Sequence, residues 1–180
     1  GVNVLLNASK SWCTAAGEAD SYVWTSRATA GDGATLWFVP ANTAGVKVAA
    51  PFDGLGLRGN ASSPLAAVDA AIPVANRLGA DGAGLDIALG VVLPVFMILN
   101  ASCSLGLMDA GVAKATAHAT TARFEHLDQA LSDQPVARQH IAEAKNRADM
   151  ASTLVADAVV ALSTGRADAA LRMLQSKTVA

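Results

Sequence analysis

The stretch Leu78-Gly79-Ala80-Asp81-Gly82-Ala83-Gly84-Leu85-Asp86 divides the 180-residue sequence into two halves with different residue patterns. Before it, Gly, Pro, Asn and Asp recur at short intervals between brief β-favouring runs, which is typical of short strands joined by turns. After it, Ala, Leu, Val, Met and charged residues follow helical spacing. We therefore predict an α+β chain, with an antiparallel β-barrel-like domain at residues 1–82 and an incomplete up-and-down helical bundle at residues 83–180.

The first half contains five predicted strands: Val2–Leu6, Tyr22–Ser26, Thr35–Val39, Val46–Ala49 and Leu65–Val68. Gly31-Asp32-Gly33 lies between the second and third of these runs. It is predicted to form a hairpin loop, because glycine reaches positive φ without a steric penalty. Pro40 and Pro51 are predicted to end strands, since proline has no N–H to donate to a sheet.

The second half contains three predicted helices. The first runs from about Leu85 to Thr121, the second from a capping side chain at Ser132-Asp133 to Ser163-Thr164-Gly165, and the third from Arg166 to about Lys177. Apolar residues in the second helix follow alternating steps of four and three and indicate a buried seam: Ala137, Ile141, Ala144, Ala148, Ala151, Val155, Ala158 and Leu162.

The segment Ile87–Met108 has no charged residue and is long enough to be a membrane-spanning candidate. Pro94, the polar Asn100 and the absence of a nearby Lys or Arg instead favour a fully buried core helix and no membrane span. This helix is one of the three predicted helices, and the other two cannot surround it on all sides. We therefore expect its cover to come from absent sequence or from another subunit.

The composition excludes several classes of protein. Hydrophobic residues make up 52% of the chain and charged residues 16%, which excludes intrinsic disorder. Thirteen Lys and Arg against fifteen Asp and Glu give a net charge of -2, without any basic run. Nucleic acid and anionic membrane surfaces are therefore not expected partners.

The cysteines and histidines do not indicate a disulfide framework or a metal site. Cys13 and Cys103 are far apart and are expected to be buried free thiols in a reducing compartment. The segment Gly1–Asn7 lacks the basic-then-apolar pattern of a secretory signal. His118 and the other two histidines, His126 and His140, are not at metal-ligand spacing. We expect a cytoplasmic protein, or a mitochondrial matrix protein in a eukaryote.

Linked segments resemble the acyl-CoA dehydrogenase family of flavoproteins. Asn7–Asp20 (NASKSWCTAAGEAD) is similar to that family's N-G-x-K-x-W-x-T-x-A-x-x-A-D segment. Three further pieces continue the resemblance in the same order and spacing: Thr35–Pro40 with Gly45-Val46, Leu55–Ser62, and Ile72–Gly79, which resembles V-P-x-x-N-x-L-G. The resemblance covers essentially the whole chain. It implies that the chain contains the family's middle β domain and the first part of its C-terminal helical domain. The family's N-terminal domain and C-terminal end would then be missing from this chain.

The resemblance implies an FAD site on the β domain. In the family, the residue matching Trp12 lies against the isoalloxazine ring and the residue matching Thr14 lies near its N5 atom. One residue separates the two in a strand-like segment, so both side chains are predicted to leave on one face. The alternative is that Trp12 is a core residue and Thr14 an ordinary strand residue.

Two further residues resemble cofactor-binding residues of the family. Arg123 matches an arginine that crosses a subunit interface to the FAD diphosphate, and Gln134 matches a glutamine at the start of the next helix. His126-Leu127 replaces the usual Phe-Gly, which leaves the loop shape and the adenosine contacts open. The alternative for Arg123 is a surface arginine stabilised by the negative end of a helix dipole.

The implied reaction is α,β-desaturation of an acyl-CoA thioester, with hydride transfer to flavin. An electron-transfer flavoprotein would reoxidise the flavin. The resemblance also implies that the protein forms a homodimer or homotetramer. No catalytic residue is expected in this chain. The sequence stops before the family's usual Glu, and Phe96 occupies the alternative base position. The fragment alone is therefore expected to be inactive. An acyl-CoA oxidase, a flavin-dependent monooxygenase of the same fold, a non-catalytic oligomerisation protein and a membrane protein remain as alternatives.

Overall fold

The computed structural model describes residues 2–51, 53–56 and 58–180. Its contacts divide the chain into two compact units, the first ending at Leu89 and the second running from Gly90 to Ala180. The predicted boundary after residue 82 remains a prediction. Gly1, at the start of the segment tested for a secretory signal, and Leu57, in the Leu55–Ser62 motif, lie outside the described residues.

The described residues of the first unit form two antiparallel sheets of three strands each. One sheet has the order β1-β5-β4 and the other β2-β3-β6, so β1 and β2 are edge strands. Among the described residues the sheets do not close into a barrel. The strands are β1 Asn3–Cys13, β2 Ser21–Arg27, β3 Ala34–Pro40, β4 Val46–Val48, β5 Ser63–Pro73 and β6 Arg77–Leu78.

The five predicted strands are present. Four of them are longer than predicted, since β1 and β5 each contain 11 residues and β2 and β3 each contain 7, whereas β4 ends one residue earlier than predicted, at Val48. Gly31 and Gly33, at φ 80° and 120°, lie in the loop of the β2–β3 hairpin as predicted. Pro40 is the last residue of β3, whereas Pro51 lies beyond the end of β4. The two-residue strand β6 was not predicted, because so short a segment carries no periodic pattern.

Large apolar side chains from both sheets form the core of this unit. Trp24 and Trp37 lie opposite each other on β2 and β3 and are each 2% exposed. The other members of the core are Leu6, Ala16, Val39, Leu65, Ala67, Ala70 and Ile72. In β5, alternation places Leu65 and Ala67 on the buried face, and a bulge around Asp69 shifts the phase so that Ala70 and Ile72 are buried as well.

Asp81 ties the β2–β3 loop to the segment that follows β6. Its carboxylate accepts hydrogen bonds from the Thr29 hydroxyl at 2.5 Å, the Thr35 hydroxyl at 2.6 Å and the backbone N–H groups of Thr29 and Ala30. The Thr35 hydroxyl in turn accepts the N–H of Gly82 at 2.9 Å. The bond from Thr29 is the largest of the influences that hold the pKa of Asp81 well below its usual value.

The first predicted helix is one helical run with an irregular start. It comprises α1 Gly84–Ile87, a π-helical turn at Ala88–Val92 and α2 Leu93–Thr121. Pro94 lies at the beginning of α2, where it has no N–H to donate and its ring crowds the carbonyl four residues earlier. The π turn accommodates the proline by changing the hydrogen-bond pattern directly before it.

The second unit contains α2, α3 Pro135–Ser163 and α4 Ala169–Val179, and a hairpin of β7 Arg123–Phe124 and β8 Gln129–Ala130 joins α2 to α3. The predicted cap at Ser132-Asp133 is wrong. Gln134 precedes α3 without a side-chain capping bond, and the Asp133 carboxylate instead accepts the N–H of Ala130 at 2.8 Å.

The turn between α3 and α4 is held by four charged side chains. Arg166 donates to both carboxylate oxygens of Asp157 at 2.8 Å and to Asp168 at 2.5 Å, and Arg172 donates to Asp168 at 3.0 Å. The hydrogen bonds from Arg166 lower the pKa of Asp157, and they are the main reason that the pKa of Asp168 falls to about 2. The turn delays the start of the last helix beyond the predicted Arg166.

The seam of α3 is buried only in its second half. Ala148, Ala151, Val155 and Ala158 are buried, whereas Ala144 is exposed. The predicted close helix packing therefore holds for the part of α3 from Ala148 onwards, where three of the alanines of the seam are buried: Ala148, Ala151 and Ala158.

The prediction of a fully buried first helix is not met by this chain. The run Gly84–Thr121 is long and apolar enough to span a membrane, and the mean hydropathy of its most apolar window is 2.0. Only 6% of that window is buried. Cys103, on the same helix, is also exposed, so its predicted burial is wrong, while Cys13 is half-buried.

Candidate functional site

A bulge in β1 determines where Trp12 lies. Lys10 pairs with Leu65 and Cys13 with Ser63, so Ser11 and Trp12 together lie opposite Pro64. Proline has no N–H for the ladder, which fits the interruption of regular pairing at this point. The bulge breaks the alternation of the strand, and the Trp12 side chain is 77% exposed. The alternative that Trp12 is a core residue is therefore wrong.

Thr14 lies in the turn directly after β1 and not in the strand, so simple alternation does not describe its direction. The structure nevertheless brings Thr14 and Trp12 to the same place. Both residues line one open cavity of about 740 Å³ in the first unit. Volumes of about 300–1,000 Å³ are typical of cofactor and small-molecule sites.

Several residues that line this cavity were not singled out from the sequence, among them Tyr22, Trp24 and Lys10. Tyr22 and Trp24 come from the same face of β2, and Lys10 comes from β1. The Lys10 ammonium group donates to the Thr25 carbonyl oxygen at 2.9 Å and lies 6.0 Å from the centre of the Trp24 ring. Alternation along Ser21–Arg27 was the signal that could have grouped Tyr22 with Trp24.

Two residues of the cavity wall carry a buried polar atom and a half-buried thiol. The Nε1 atom of Trp24 is buried and has no hydrogen-bond partner among the described residues. Cys13 also lines the cavity, and burial is the main reason that the pKa of its thiol is raised. The protonated thiol is therefore favoured, and a nucleophilic role for Cys13 is not supported.

No Asp or Glu is among the described residues that line the cavity. Its walls are formed by serine, threonine, lysine, cysteine and apolar or aromatic residues. The cavity can therefore hold a ligand and donate hydrogen bonds, but it contains no carboxylate that could remove a proton from a substrate.

Arg123 and Gln134 lie in the second unit, on and next to the β7–β8 hairpin. The Arg123 guanidinium donates to the carboxylate of Asp128 at 2.6 Å and to the carbonyl oxygen of the same residue at 3.1 Å. The Gln134 amide donates to the side chain of Gln129 at 2.9 Å, and Gln129 belongs to the strand paired with Arg123. Both predicted residues are thus held by the same hairpin.

Arg123 lies just beyond the preceding helix, because α2 stops at Thr121 and Arg123 begins β7. Its guanidinium donates to Asp128, which lies in the hairpin loop and not at the end of α2. Asp128 itself adopts a left-handed conformation at φ 50°, after the 3₁₀ turn Glu125–Leu127 that contains His126-Leu127. The loop that departs from the family pattern is thus a compact turn that supplies the partner of Arg123.

Comparison with known proteins finds similarity to acyl-CoA dehydrogenases. The sequence is 33% identical over 122 residues to the mitochondrial short-chain specific acyl-CoA dehydrogenase of Sus scrofa, a match to 66% of this chain and 29% of that protein. It is 35% identical over 106 residues to the Homo sapiens protein of the same name, covering 57% of this chain and 26% of that one. No protein-family model matches the sequence.

The fold agrees with the sequence comparison. Butyryl-CoA dehydrogenase from Megasphaera elsdenii superimposes with a TM-score of 0.91 at 24% identity, covering 98% of this chain and 46% of that one. The chain therefore spans less than half the length of the relatives that it matches. In sequence and in fold, over this partial length, the chain belongs to the acyl-CoA dehydrogenase family.

Proposed function

We propose that the protein containing this chain is an FAD-dependent oxidoreductase that desaturates an acyl-CoA thioester at its α,β bond. The observation that carries the proposal is the meeting of Trp12 and Thr14 at one cavity of about 740 Å³. Bound FAD would supply the two-electron acceptor for the reaction. The family relationship supports this choice, because the relatives named above are acyl-CoA dehydrogenases.

The residues around the cavity fit an isoalloxazine ring. The exposed indole of Trp12 offers a flat apolar surface at the cavity wall, and the Thr14 hydroxyl offers a hydrogen-bond donor beside it. A flavin ring that accepts electrons gains negative charge near N5, so a fixed donor there stabilises the reduced form. In this proposal Trp12 binds the ring and Thr14 donates to it.

Arg123 and Gln134 are proposed to bind the FAD diphosphate and adenosine of a partner subunit. The Arg123 side chain is 53% exposed and its partner Asp128 is 93% exposed. Exposed ion pairs contribute little stability, about 0–1 kcal/mol, so a diphosphate can compete for this guanidinium. A guanidinium also offers the forked donors that suit phosphate oxygens.

The catalytic base is proposed to lie outside this chain. The described cavity wall contains no carboxylate, and Phe96 stands where some relatives carry the base. The chain alone is therefore expected to bind FAD weakly, if at all, and to show little or no activity.

The proposed partners are an acyl-CoA substrate, an electron-transfer flavoprotein or another acceptor, and further copies of the protein. Exposed apolar side chains on the first helical run, including Leu85, Leu89, Phe96 and Leu99, favour cover by another part of the protein or by another subunit. We propose a homodimer or homotetramer without a membrane span. The mitochondrial relatives favour a matrix location in a eukaryote, and a cytoplasmic one is proposed otherwise.

A non-catalytic oligomerisation protein is the second candidate, because the described residues of the cavity wall include no carboxylate and the helical run exposes apolar residues. The deciding experiment is to purify the gene product that contains this chain. The enzyme proposal expects a yellow protein whose flavin absorbance bleaches when an acyl-CoA is added. A colourless protein that takes up no FAD on reconstitution would contradict it. Oxygen consumption during turnover would indicate an oxidase or a monooxygenase of the same fold.

A further inference from the structure

The turn that carries Thr14 is held from one side by the loop before β5. The N–H of Ala15 donates to the carbonyl oxygen of Asn60 at 2.9 Å, and the N–H of Ala16 donates to that of Ala61 at 3.1 Å. Ala15 has a φ of 55°, in the left-handed region that a residue with a Cβ seldom adopts. Such a conformation persists where surrounding bonds enforce it.

The turn is held from the other side by a single side chain of β2. The N–H of Gly17 donates to the Tyr22 hydroxyl oxygen at 2.9 Å. Gly17 has a φ of 87°, which favours glycine, and a Cβ at this position would lie 3.2 Å from Cγ2 of Val48, so the valine side chain would have to shift slightly. Tyr22 is half-buried and lines the same cavity as Trp12 and Thr14.

We infer that Tyr22 is a positioning residue for Thr14. Its hydroxyl fixes the far end of the turn, and the turn presents the Thr14 hydroxyl to the cavity. This inference rests on the proposed function, in which the isoalloxazine ring of FAD lies against Trp12 and Thr14. A preorganised donor stabilises developing charge without first having to reorganise, so loosening the turn weakens the contribution of Thr14.

The Tyr22 hydroxyl can be removed with little damage to the fold. In Tyr22→Phe the aromatic ring keeps its packing, and only the acceptor of the Gly17 N–H is lost. Gly17 is exposed, so water can replace the tyrosine oxygen as the acceptor. The variant therefore tests the geometry of the turn and not the integrity of the core.

The test is a double-mutant cycle in the FAD-loaded gene product that contains this chain. Tyr22→Phe, Thr14→Ala and the double variant are compared by their FAD dissociation constants and by the positions of their flavin absorbance bands, which respond to hydrogen bonds at the ring. Tyr22→Phe is expected to weaken FAD binding roughly threefold to tenfold. Its bands are expected to move in the same direction as those of Thr14→Ala. In the double variant, Tyr22→Phe is expected to add nothing to the effect of Thr14→Ala.

Ser26→Ala is the matched control. Ser26 also lies on β2, and its hydroxyl accepts the Trp37 Nε1–H at 2.9 Å, far from the turn at Gly17. Losing this acceptor is expected to lower the melting temperature while leaving the flavin bands and the FAD dissociation constant unchanged.

Two results would overturn the positioning role and leave the proposed flavin site intact. One is a Tyr22→Phe variant with parental FAD binding and parental absorbance bands, while Thr14→Ala changes both. The other is strict additivity of the two substitutions, which would mean that Tyr22 acts independently of Thr14. If Trp12→Ala and Thr14→Ala also bind FAD like the parent, the flavin site itself is wrong, and the role of Tyr22 is rejected together with it.

Discussion

Thr35 is completely buried, and its hydroxyl donates to the Asp81 carboxylate at 2.6 Å. The bond joins the start of β3 to the segment just before the first helical run. A polar side chain in a core is tolerated when its hydrogen bonds are satisfied, and Thr35 both donates to Asp81 and accepts from Gly82. The Thr35–Asp81 pair therefore has a structural role in the first unit, and neither residue lines the candidate flavin cavity.

Replacing Asp81 with Asn should destabilise the first unit at neutral pH. The folded-state pKa of Asp81 is depressed, so its carboxylate stabilises the fold above the unfolded pKa of about 3.9, and this stability is lost as the pH falls. We expect the melting temperature at pH 7 to fall by roughly a few degrees, with a smaller difference from the parent below about pH 4. Asp32→Asn, an exposed change with the same loss of charge, is the control. Equal effects at pH 7 and pH 3 would contradict this role.

Trp12→Ala and Thr14→Ala should have different effects on the flavin. Removing the indole takes away the apolar surface for the ring, so Trp12→Ala should weaken FAD retention. Thr14→Ala should slow flavin reduction by acyl-CoA more than it weakens FAD binding, because its hydrogen bond strengthens as charge develops on the ring. Stopped-flow reduction at matched FAD content measures the difference. Leu55→Ala, which removes an exposed apolar side chain outside the cavity, should change neither quantity.

Arg123→Glu should lower FAD affinity, because it places like charge against the diphosphate. Arg147→Glu, also an exposed charge reversal in the second unit, should leave affinity unchanged. Mixing the Arg123 variant with a Trp12→Ala variant should restore some intact sites if the two residues serve one site from different subunits. A stable monomer that holds FAD, detected by light scattering, would contradict the cross-subunit role.

Arg166→Gln should destabilise the helical unit, because it removes the donors shared by Asp157 and Asp168 and leaves two carboxylates close together. The pKa of Asp168 is lowered to about 2, so this contribution is expected above about pH 4 and should decline towards pH 2. Thermal melts at pH 7 and at low pH test the change. Arg138→Gln, outside the four-residue cluster, is the control. If Arg166→Gln lowers the melting temperature no more than Arg138→Gln does, the cluster does not stabilise the unit.

Much of the fold could be predicted because it depends on local patterns. Gly31 and Gly33 mark the β2–β3 hairpin, and the spacing of apolar residues in α3 finds the helix and the buried half of its seam. The residue at which α3 starts was harder to predict. Ser132-Asp133 is a good capping sequence, but the Asp133 carboxylate bonds to Ala130 within a 3₁₀ turn, and Gln134 takes the capping position.

The candidate site depended more on contacts between distant residues. Alternation alone would place Trp12 on the same face as Lys10, and only its pairing opposite Pro64 turns the indole outwards. The hydrogen bond between Gly17 and Tyr22 likewise requires the geometry of the turn, which sequence spacing does not reveal. The first helical run could be buried only by further protein, because the other helices of this chain leave most of it exposed.

The bulge at Ser11-Trp12 also limits how the length of this segment can change during evolution. Deleting one residue between Lys10 and Cys13 would remove the bulge and restore regular pairing with β5, so the local bend that sets the direction of the indole and of the following turn would be lost. An insertion in the exposed loop at residues 28–33 would change no such register. Among homologous genes, the interval from Lys10 to Thr14 should therefore keep a constant length, while the β2–β3 loop is free to vary outside the residues that bind Asp81.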